Sequence, residues 1–302
     1  MDIDHKTKPA RIRRAIVVIS ISLLVALGLW VASQRVDTGP ACGVGLNDMP
    51  APPTVPTAAF RIGTFNIAGG KGPDGTVDLQ PTVEVLKGLD FVALQEVRGQ
   101  LVPSEGNQAE SLARQLGLGW LYAPAETRWG CKQFGNAVLS RLTVRSWQRI
   151  PLPREFDRSY RNVVFLVVDT GGTRPIHVLA THVTQRDPRD REVQLRAVFE
   201  LFLAMEKPAI LLGDLNSPPD SKVIRELLAR SGVDDPVGRL AQQVPEGRVD
   251  WLLVRGLQAM AAGVRNDGIS DHPLYWIEVK QPDTEYLEPL SSKQPAVQNE
   301  VQ

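Results

Sequence analysis

Several hydrophobic segments of this chain end or begin with a polar side chain that could take part in chemistry. FVALQE ends in Glu96, HVLATH ends in His182, and AILLGDLN ends in Asp214 and Asn216. Such groups are costly to bury unless they are paired or bind a metal. Residues in the same kind of position elsewhere are Asn66 after FRIGTF, Asp250 in RVDWLLV, and Asp271 and His272 before PLYWIEV. Because strand ends converge at one edge of a sheet, we expect a single cleft to collect these side chains.

Each of these residues alone has a simpler interpretation. Asp and Asn are common in turns, so GDLNSPPD by itself would more often be a loop, and a lone histidine is usually structural. Their joint occurrence favours a site, because carboxylate and amide oxygens beside imidazoles suit Mg²⁺ and a phosphoryl group. The chain has no His and Cys cluster at the spacing of zinc ligands. The residues therefore predict phosphoryl chemistry assisted by a hard cation.

The elements that must position these residues are short β-type runs alternating with amphipathic helical runs. Runs rich in Val, Ile and Leu predict strands over Phe60–Asn66, Asp90–Glu96, Asn136–Ser140, Arg161–Val168, Ile176–His182, Ile210–Leu215, Val249–Val254 and Pro273–Val279. Helices are predicted over Leu79–Leu89, Asn107–Leu116, Arg189–Ala204 and Lys222–Ser231. Many strands with a few helices in one unit predict an α/β (α+β) fold, with two sheets packed face to face and helices outside.

The N-terminal region combines a basic segment, residues 1–14, with the uncharged run AIVVISISLLVALGLWVA at residues 15–32. As a helix this run is about 27 Å long, close to the hydrocarbon thickness of a bilayer. We predict a transmembrane signal anchor at residues 15–33 rather than a cleaved signal peptide, which has a shorter apolar run. The positive charges before it predict a cytoplasmic N-terminus and one crossing of the inner (plasma) membrane, with the catalytic part periplasmic or extracellular.

The rest of the chain divides into three parts. Residues 34–57 are rich in Pro, Gly and small residues and predict a linker, residues 58–280 form the predicted catalytic domain, and residues 281–302 predict a disordered tail. The net charge is zero, so the chain lacks the basic excess that is usual for proteins that neutralise nucleic-acid phosphates. A zero net charge does not exclude a local basic cleft. Cys42 and Cys131 follow the apolar run and are either a disulfide or two free thiols.

Seven segments occur in the order and approximate spacing of the endonuclease/exonuclease/phosphatase superfamily: TFNIAGG, LQEV, GNAVLSR, ATHVT, GDLNSPP, RVDWLLV and SDHPLY. Over residues 58–280 the chain resembles this superfamily, which includes pancreatic deoxyribonuclease, abasic-site endonucleases, inositol-polyphosphate 5-phosphatases and sphingomyelinases. The resemblance implies a four-layer α/β/β/α sandwich of two mixed sheets and a metal-dependent phosphoric ester hydrolase. It specifies the substrate only weakly.

The resemblance also implies a site for Mg²⁺, with Mn²⁺ as the alternative. Glu96 would be the principal ligand, Asn66 would orient the metal or its water, and Asp271 would make a second contact through water. Ala68 stands where some abasic-site endonucleases carry an acid. This departure disfavours that branch and a second direct metal site.

The catalytic roles that the resemblance implies fall on the histidines and the remaining acids. His272 would be the general acid or base at the scissile phosphate, oriented by Asp250. Asp214 would orient or deprotonate the attacking water, and the Asn216 amide would stabilise charge on the phosphoryl oxygens. His182 would donate to a phosphate oxygen or to the leaving group.

Substrate binding is assigned on the same resemblance to Asn136, as a supporting donor, and to Arg161, as a phosphate ligand. The first candidate function is an extracytoplasmic phosphodiesterase or nuclease acting on nucleic acid or nucleotides. The second is a phospholipase-C-like or phosphatase activity on phospholipid headgroups, which membrane attachment favours. A catalytically silent binding module is the third, disfavoured because the expected catalytic residues are present. We expect a monomer whose partners are the phosphoester substrate and, through the N-terminal helix, a membrane.

Overall fold

A computed structural model describes residues 8–33, 38–48, 59–99, 107–128, 132–156 and 160–280. The strands are β1 (Ala41–Gly43), β2 (Ala59–Asn66), β3 (Phe91–Arg98), β4 (Gly119–Arg128), β5 (Lys132–Ser140), β6 (Thr143–Pro151), β7 (Asn162–Asp169), β8 (Ile176–His182), β9 (Ala209–Asp214), β10 (Asp250–Arg255), β11 (Ala259–Arg265) and β12 (Leu274–Lys280). The helices are α1 (Lys8–Ser33), α2 (Gln80–Leu86), α3 (Gln108–Leu116), α4 (Pro188–Ala204), α5 (Lys222–Leu228) and α6 (Pro236–Leu240). The predicted tail at 281–302 lies outside the described residues.

Two six-stranded sheets form the centre of the fold. Their strand orders are β1-β6-β7-β8-β9-β10 and β11-β12-β2-β3-β5-β4. Both sheets are mixed, because β2 runs parallel to β3 and β8 runs parallel to β9, whereas the other pairs are antiparallel. Parallel neighbours align their carboxyl ends, so β2, β3, β8 and β9 can present their terminal side chains at common edges.

Hydrophobic packing arranges these sheets and the helices in layers. Phe60 and Phe91 of one sheet pack with Leu166 of the other in the core between the sheets. Leu112 of α3 packs on the outer face of the second sheet, and Phe202 of α4 packs on the outer face of the first. This arrangement confirms the prediction of two packed mixed sheets with helices outside.

The eight predicted strands and four predicted helices all occur, with ends that differ by a few residues. The sequence did not predict β1, β4, β6, β11 or α6. β4 contains Pro124 at an irregularity in its pairing with β5, and β11 is rich in Ala and Gly and lies at a sheet edge. Strands with these features lack the buried, β-branched pattern by which the central strands are recognised.

Part of the predicted linker belongs to the folded domain, which corrects the prediction for residues 38–48. We call this segment the strap. Its strand β1 extends the first sheet by pairing with β6, and Asn47 exchanges two backbone hydrogen bonds of 2.9 Å with Trp120 of β4 in the other sheet. Leu46 packs against the core between the sheets, and Arg149 donates to the carbonyl of Gly39 over 2.7 Å. The strap therefore joins both sheets at one edge.

A fragment that begins at residue 59 should be less stable than one that begins at residue 38. Loss of the strap removes several backbone hydrogen bonds and uncovers Leu46 and its neighbours, which should cost about 2–4 kcal/mol of unfolding free energy. For a domain of this size that corresponds to a Tm lower by about 5–10 °C in thermal melts followed by circular dichroism. The control is Cys42→Ser in the longer fragment, which should keep the Tm of that fragment because the Cys42 side chain is exposed. Equal melting temperatures for the two fragments would show that the strap adds no stability.

The predicted membrane anchor falls within α1. In the part of the chain that the structure describes, no helix combines the length and the apolar character needed to cross a membrane, so the predicted transmembrane helix is not confirmed. The alternative of a Cys42–Cys131 disulfide is also untested, because Cys131 lies outside the described residues.

Candidate active site

Strand ends from both sheets meet around the carboxylate of Asp214 at the end of β9. Asn66, at the end of β2, donates from Nδ2 to Asp214 Oδ2 over 3.1 Å. His182 Nε2 lies 3.4 Å from the same oxygen and His272 Nε2 lies 3.9 Å from it. Asp214 and Asn66 are each 1% exposed. The structure thus brings together side chains that are far apart in the sequence and belong to different sheets.

Strand register explains why these residues meet. The parallel pairing of β8 and β9 places His182 opposite Asp214, and the antiparallel pairing of β9 and β10 places Asp250 opposite Asp214. Gly213 has φ +143°, and a Cβ there would lie 2.0 Å from the carbonyl oxygen of Thr181. Glycine is therefore required for β9 to approach β8 closely at the site.

Asn216 has a structural role that sequence reasoning did not assign. Its backbone N–H donates to Asp214 Oδ1 over 2.9 Å, and its side-chain Nδ2 donates to the carbonyl of Val183 over 2.8 Å. Asn216 adopts φ +47°, a conformation that Asn tolerates better than most residues. The predicted contact of its amide with phosphoryl oxygens is untested, whereas its present contacts orient Asp214.

His272 and Asp250 form a hydrogen-bonded pair. Nδ1 of His272 donates to Asp250 Oδ2 over 2.8 Å, which directs Nε2 towards Asp214. Burial by itself lowers the pKa of His272, but the hydrogen bond to Asp250 and the negative charges of Asp250, Asp214 and Asp271 outweigh burial and raise that pKa to about 9. The imidazole is consequently held protonated and can supply a proton at neutral pH.

The two buried aspartates have perturbed acidities. Burial, together with the negative charge of Asp250, raises the pKa of Asp214 to about 7, against the lowering effects of His272 and the hydrogen bonds from Asn216 and Asn66. Burial also raises the pKa of Asp250, opposed by its hydrogen bond to His272. A carboxylate that titrates near neutral pH is suited to accept a proton from water.

Asp250→Asn should move the alkaline limb of the pH–rate profile to lower pH. With Asp250 present, His272 stays protonated up to about pH 9, and activity that needs this proton is lost as the pH rises above that value. Without the acid, the pKa of His272 falls towards its ordinary value near 6.5. Profiles of kcat/KM between pH 5 and 10 measure the change, and an unshifted limb in the variant would argue against His272 as the titrating acid.

Glu96 lies on a β-bulge of β3, one residue after the strand partner of Asn66. The pairing of β3 with β5 shifts register between Leu94 and Val97, and Glu96 adopts φ +59°. β3 runs parallel to β2, with Asn66 paired to the residue before Glu96. The half-buried Glu96 carboxylate makes no hydrogen bond or ion pair with the described residues. Bulges re-aim side chains next to active sites, so Glu96 is available as a ligand, although no described contact joins it to Asp214.

Asp271 is exposed and is connected to Asn66 through Ser270. The hydroxyl of Ser270 donates to the carbonyl of Asn66 over 2.7 Å and lies 3.3 Å from Asp271 Oδ1. The backbone N–H of His272 lies 3.3 Å from the same hydroxyl. Ser270 therefore fixes the turn that carries Asp271 and His272. Sequence reasoning assigned no role to Ser270, although it is the first residue of the motif SDH.

The acidic residues around the site fit a divalent cation. Among the described residues, one ligand atom from each of Asp214, Asp250 and His272 lies within 4.8 Å of the others. Buried Asp250 Oδ1 has no hydrogen-bond partner among the described residues, and a cation nearby would compensate the burial of these carboxylates. The sequence assigned Asp214, Asp250 and His272 to catalysis and Asn66, Glu96 and Asp271 to the metal. The structure places the first set in one cluster, joins Asn66 to Asp214 by a hydrogen bond, links Asp271 to Asn66 through Ser270, and, among the described residues, shows no hydrogen bond or ion pair between the Glu96 side chain and the cluster.

Of the two predicted substrate-binding residues, Asn136 belongs to a buried network that reaches Thr181, the residue before His182, and Arg161 lies next to this network in the sequence. Buried Asn136 donates from Nδ2 to Asn162 Oδ1 over 3.1 Å, and Thr181 donates from Oγ1 to the carbonyl of Asn162 over 3.1 Å. Arg161, the neighbour of Asn162, is 8% exposed. Sequence reasoning missed Asn162, although it is a polar residue at the start of the apolar run VVFLVV. Asn136 therefore supports the position of His182 through this buried network.

The fold and the site define the class of the protein as a hydrolase that acts on phosphoesters. A family model described as "Endonuclease/Exonuclease/phosphatase family" matches residues 63–272. The chain therefore belongs to this family, whose members are phosphoester hydrolases, and the predicted family and enzyme class are confirmed. A search of curated proteins finds no match.

Solved structures with the same fold come from several organisms. An endonuclease/exonuclease/phosphatase from Beutenbergia cavernae DSM 12333 has a TM-score of 0.64 and 22% identity, covering 74% of this chain and 72% of that one. A mannosyl-6-phosphatase from Bacteroides thetaiotaomicron VPI-5482 has a TM-score of 0.60 and 15% identity, covering 74% and 100%. TDP2 from Caenorhabditis elegans has a TM-score of 0.51 and 18% identity, covering 74% of each chain. At these identities the likeness concerns the fold alone.

Proposed function

We propose that the protein is a Mg²⁺-dependent phosphodiesterase of nuclease type, with Mn²⁺ as an alternative ion. The observation that carries the proposal is the buried Asp214 carboxylate, with His272 and His182 imidazoles 3.9 and 3.4 Å from its Oδ2 atom. One group can take a proton from water while another donates a proton to a leaving oxygen. Hydrolysis of an alkyl phosphodiester needs both steps, because an alkoxide is a poor leaving group.

The proposed division of labour follows from acidity and contacts. Asp214 accepts the proton of the attacking water, since its pKa is raised to about 7 by burial. His272, held in one orientation by Asp250, interacts with the phosphoryl group as a cation, and His182 donates to an oxygen of the substrate. Glu96, Asn66 and Asp271 would hold the cation, which supplies charge stabilisation at the phosphoryl oxygens.

A substrate panel tests this function directly. The full chain in detergent would be incubated with 5 mM Mg²⁺ and, separately, with single-stranded DNA, plasmid DNA, RNA, mannose 6-phosphate and phospholipid vesicles. Cleavage of nucleic acid that is abolished by EDTA and by His272→Ala is the expected result. Release of phosphate from the monoester alone, or hydrolysis of lipid alone, would replace the nuclease assignment.

Membrane attachment is the second part of the proposal. Apolar side chains of α1, including Ile16, Leu23 and Leu27, are each at least 55% exposed, and residues 15–32 carry no charge. Lipid would cover this surface, and the basic residues before it favour a cytoplasmic N-terminus with the catalytic domain on the other side. A position close to a bilayer favours phospholipid headgroups as the alternative substrate.

The topology is measurable with reporters fused after residue 37, ahead of the strap. Alkaline phosphatase should be active in such a fusion, because it folds outside the cytoplasm, and a cytoplasmic reporter should be inactive. The converse pattern would reverse the orientation, and a fully soluble fusion would remove the membrane from the proposal.

A further inference from the structure

We propose that an exposed platform on the segment that leads into β7 binds an unpaired base of single-stranded nucleic acid, which names the substrate class and rests on the nuclease-type function proposed above. The platform consists of the side chains of Arg154, Phe156, Tyr160 and Arg189. Phe156 is 51% exposed and Tyr160 is 44% exposed. Large aromatic rings that face solvent on a protein surface are favourable binding groups, because their exposed apolar area can contact a base.

Each ring of the platform carries an arginine. The guanidinium carbon of Arg154 lies 3.5 Å from the centroid of the Tyr160 ring, and that of Arg189 lies 3.8 Å from the centroid of the Phe156 ring. Arg154 has no carboxylate partner among the described residues, whereas Arg189 pairs with Asp187 over 2.9 Å. Bases stack on aromatic rings and on guanidinium planes, and the charge of Arg154 complements a backbone phosphate.

The segment that carries Phe156 is held by buried polar groups. Asp190 of α4 is fully buried, and its carboxylate accepts the backbone N–H groups of Glu155 and Phe156 over 2.8 and 3.1 Å. Buried Gln194 donates to the carbonyl of Pro153 over 3.0 Å. Burial of a carboxylate is costly, so an exposed aromatic held in this way is positioned more firmly than an ordinary surface loop residue.

Strand register links the platform to the active site. Leu152 donates to the carbonyl of Arg161 over 2.8 Å and closes the base of the segment, so Phe156 and Tyr160 lie on the connection that leads into β7. The start of β7 pairs with the end of β8, where Val163 lies opposite Thr181. Thr181 immediately precedes His182. A base on the platform would therefore flank the phosphodiester that reaches Asp214 and His182.

The chemistry favours a single strand over a duplex. A ring can stack on a base only when that base has a free face, as in single strands and strand ends. Duplex binding depends instead on many phosphate contacts along a basic surface, and this chain has 34 basic and 34 acidic residues. A few arginines around two aromatic rings fit one or two nucleotides next to the cleavage position.

Binding without cleavage tests the platform separately from catalysis. Fluorescence anisotropy of a labelled single-stranded 12-mer would be measured with the full chain in detergent and EDTA. Phe156→Ala and Tyr160→Ala should each weaken binding by about tenfold, while Phe156→Trp and Tyr160→Phe should restore it. An otherwise identical 12-mer with abasic sugars should bind weakly to the wild type and equally weakly to both alanine variants. Met260, a 46% exposed residue of β11, provides the control Met260→Ala.

The outcomes separate the platform from the proposed function. The platform is overturned, even if nucleic acid is cleaved, if both alanine variants bind the normal 12-mer with wild-type affinity. It is also overturned if the alanine variants lose as much affinity for the abasic 12-mer as they lose for the normal one. Ring-dependent binding in a protein that cleaves no nucleic acid upholds the platform and rejects the nuclease-type function. If the rings instead control binding to vesicles of equal phosphatidylglycerol and phosphatidylcholine and leave oligonucleotide binding unchanged, the surface contacts lipid and the proposal fails.

Discussion

Asp214→Asn is expected to lower kcat for phosphodiester hydrolysis by about 10³-fold, because it removes the group that accepts a proton from water. The same change should raise the stability of the folded protein near neutral pH, whereas a loss of structure would lower it. Burial raises the pKa of Asp214 to about 7 in the folded protein, above its value of about 3.9 in an unfolded chain. The unfolded state therefore releases this proton first as the pH rises.

The sign of the stability change follows from this difference. Between about pH 4 and 6.5 the folded state holds more protons than the unfolded state, so Asp214 makes the unfolding free energy fall by up to about 1 kcal/mol per pH unit. His272 acts separately, because its raised pKa of about 9 gives stability that is lost only above about pH 6.5. In EDTA, the Asp214→Asn variant should lose the part of this fall that Asp214 contributes and keep the part that comes from Asp250, whose pKa burial also raises. It should therefore show a shallower fall between pH 4 and 6.5 and melt at a higher temperature than the wild type at pH 6.5.

The control for this pair of measurements is Asp220→Asn, because Asp220 is an exposed acid in the same loop. It should leave both kcat and the pH dependence of Tm unchanged. An Asp214→Asn protein that retains more than a tenth of wild-type kcat, or that melts lower than the wild type at every pH, would contradict the proposed role.

Glu96→Gln is expected to abolish the stabilisation of the protein by Mg²⁺ and to reduce kcat/KM by about 10³-fold. A cation that binds only the folded state raises Tm in proportion to the logarithm of its concentration, and the amide of Gln is a weaker ligand for Mg²⁺ than a carboxylate. Because the Glu96 carboxylate has no partner among the described residues, Gln should leave the fold intact. Melting curves in EDTA and in 10 mM Mg²⁺, together with steady-state kinetics, measure both effects.

Glu84→Gln is the matched control, since Glu84 is an exposed acid that pairs with Lys87 over 2.6 Å. This variant should keep the full Mg²⁺ response. A normal rise of Tm with Mg²⁺ in Glu96→Gln would instead assign the cation to the buried carboxylates of Asp214 and Asp250, which belong to a cluster whose potential ligand atoms lie within 4.8 Å of one another. The experiment thus decides whether Mg²⁺ binds at Glu96 or at the cluster around Asp214.

Much of the central fold was predictable because central strands have a strong local signature. β8 begins and ends at the predicted residues, Ile176 and His182, since a short apolar run terminated by a polar residue is distinctive. The strap was not predictable, because Ala41–Gly43 contains no apolar pattern and becomes a strand only where the edge of β6 offers unpaired backbone groups. The same limitation applies to β11, a strand rich in Ala and Gly at a sheet edge.

The sequence by itself determined the inventory of the site: acids, amides and imidazoles at the ends of apolar runs, in an order that resembles one superfamily. Only the tertiary structure decided which of them meet. The 2.8 Å pair of His272 and Asp250, the bulge that turns Glu96, and the link through Asn162 all depend on register and on packing between strands distant in the chain. The physical reason is that residue types depend on local composition, whereas distances and acidities depend on burial and on neighbours that folding alone supplies.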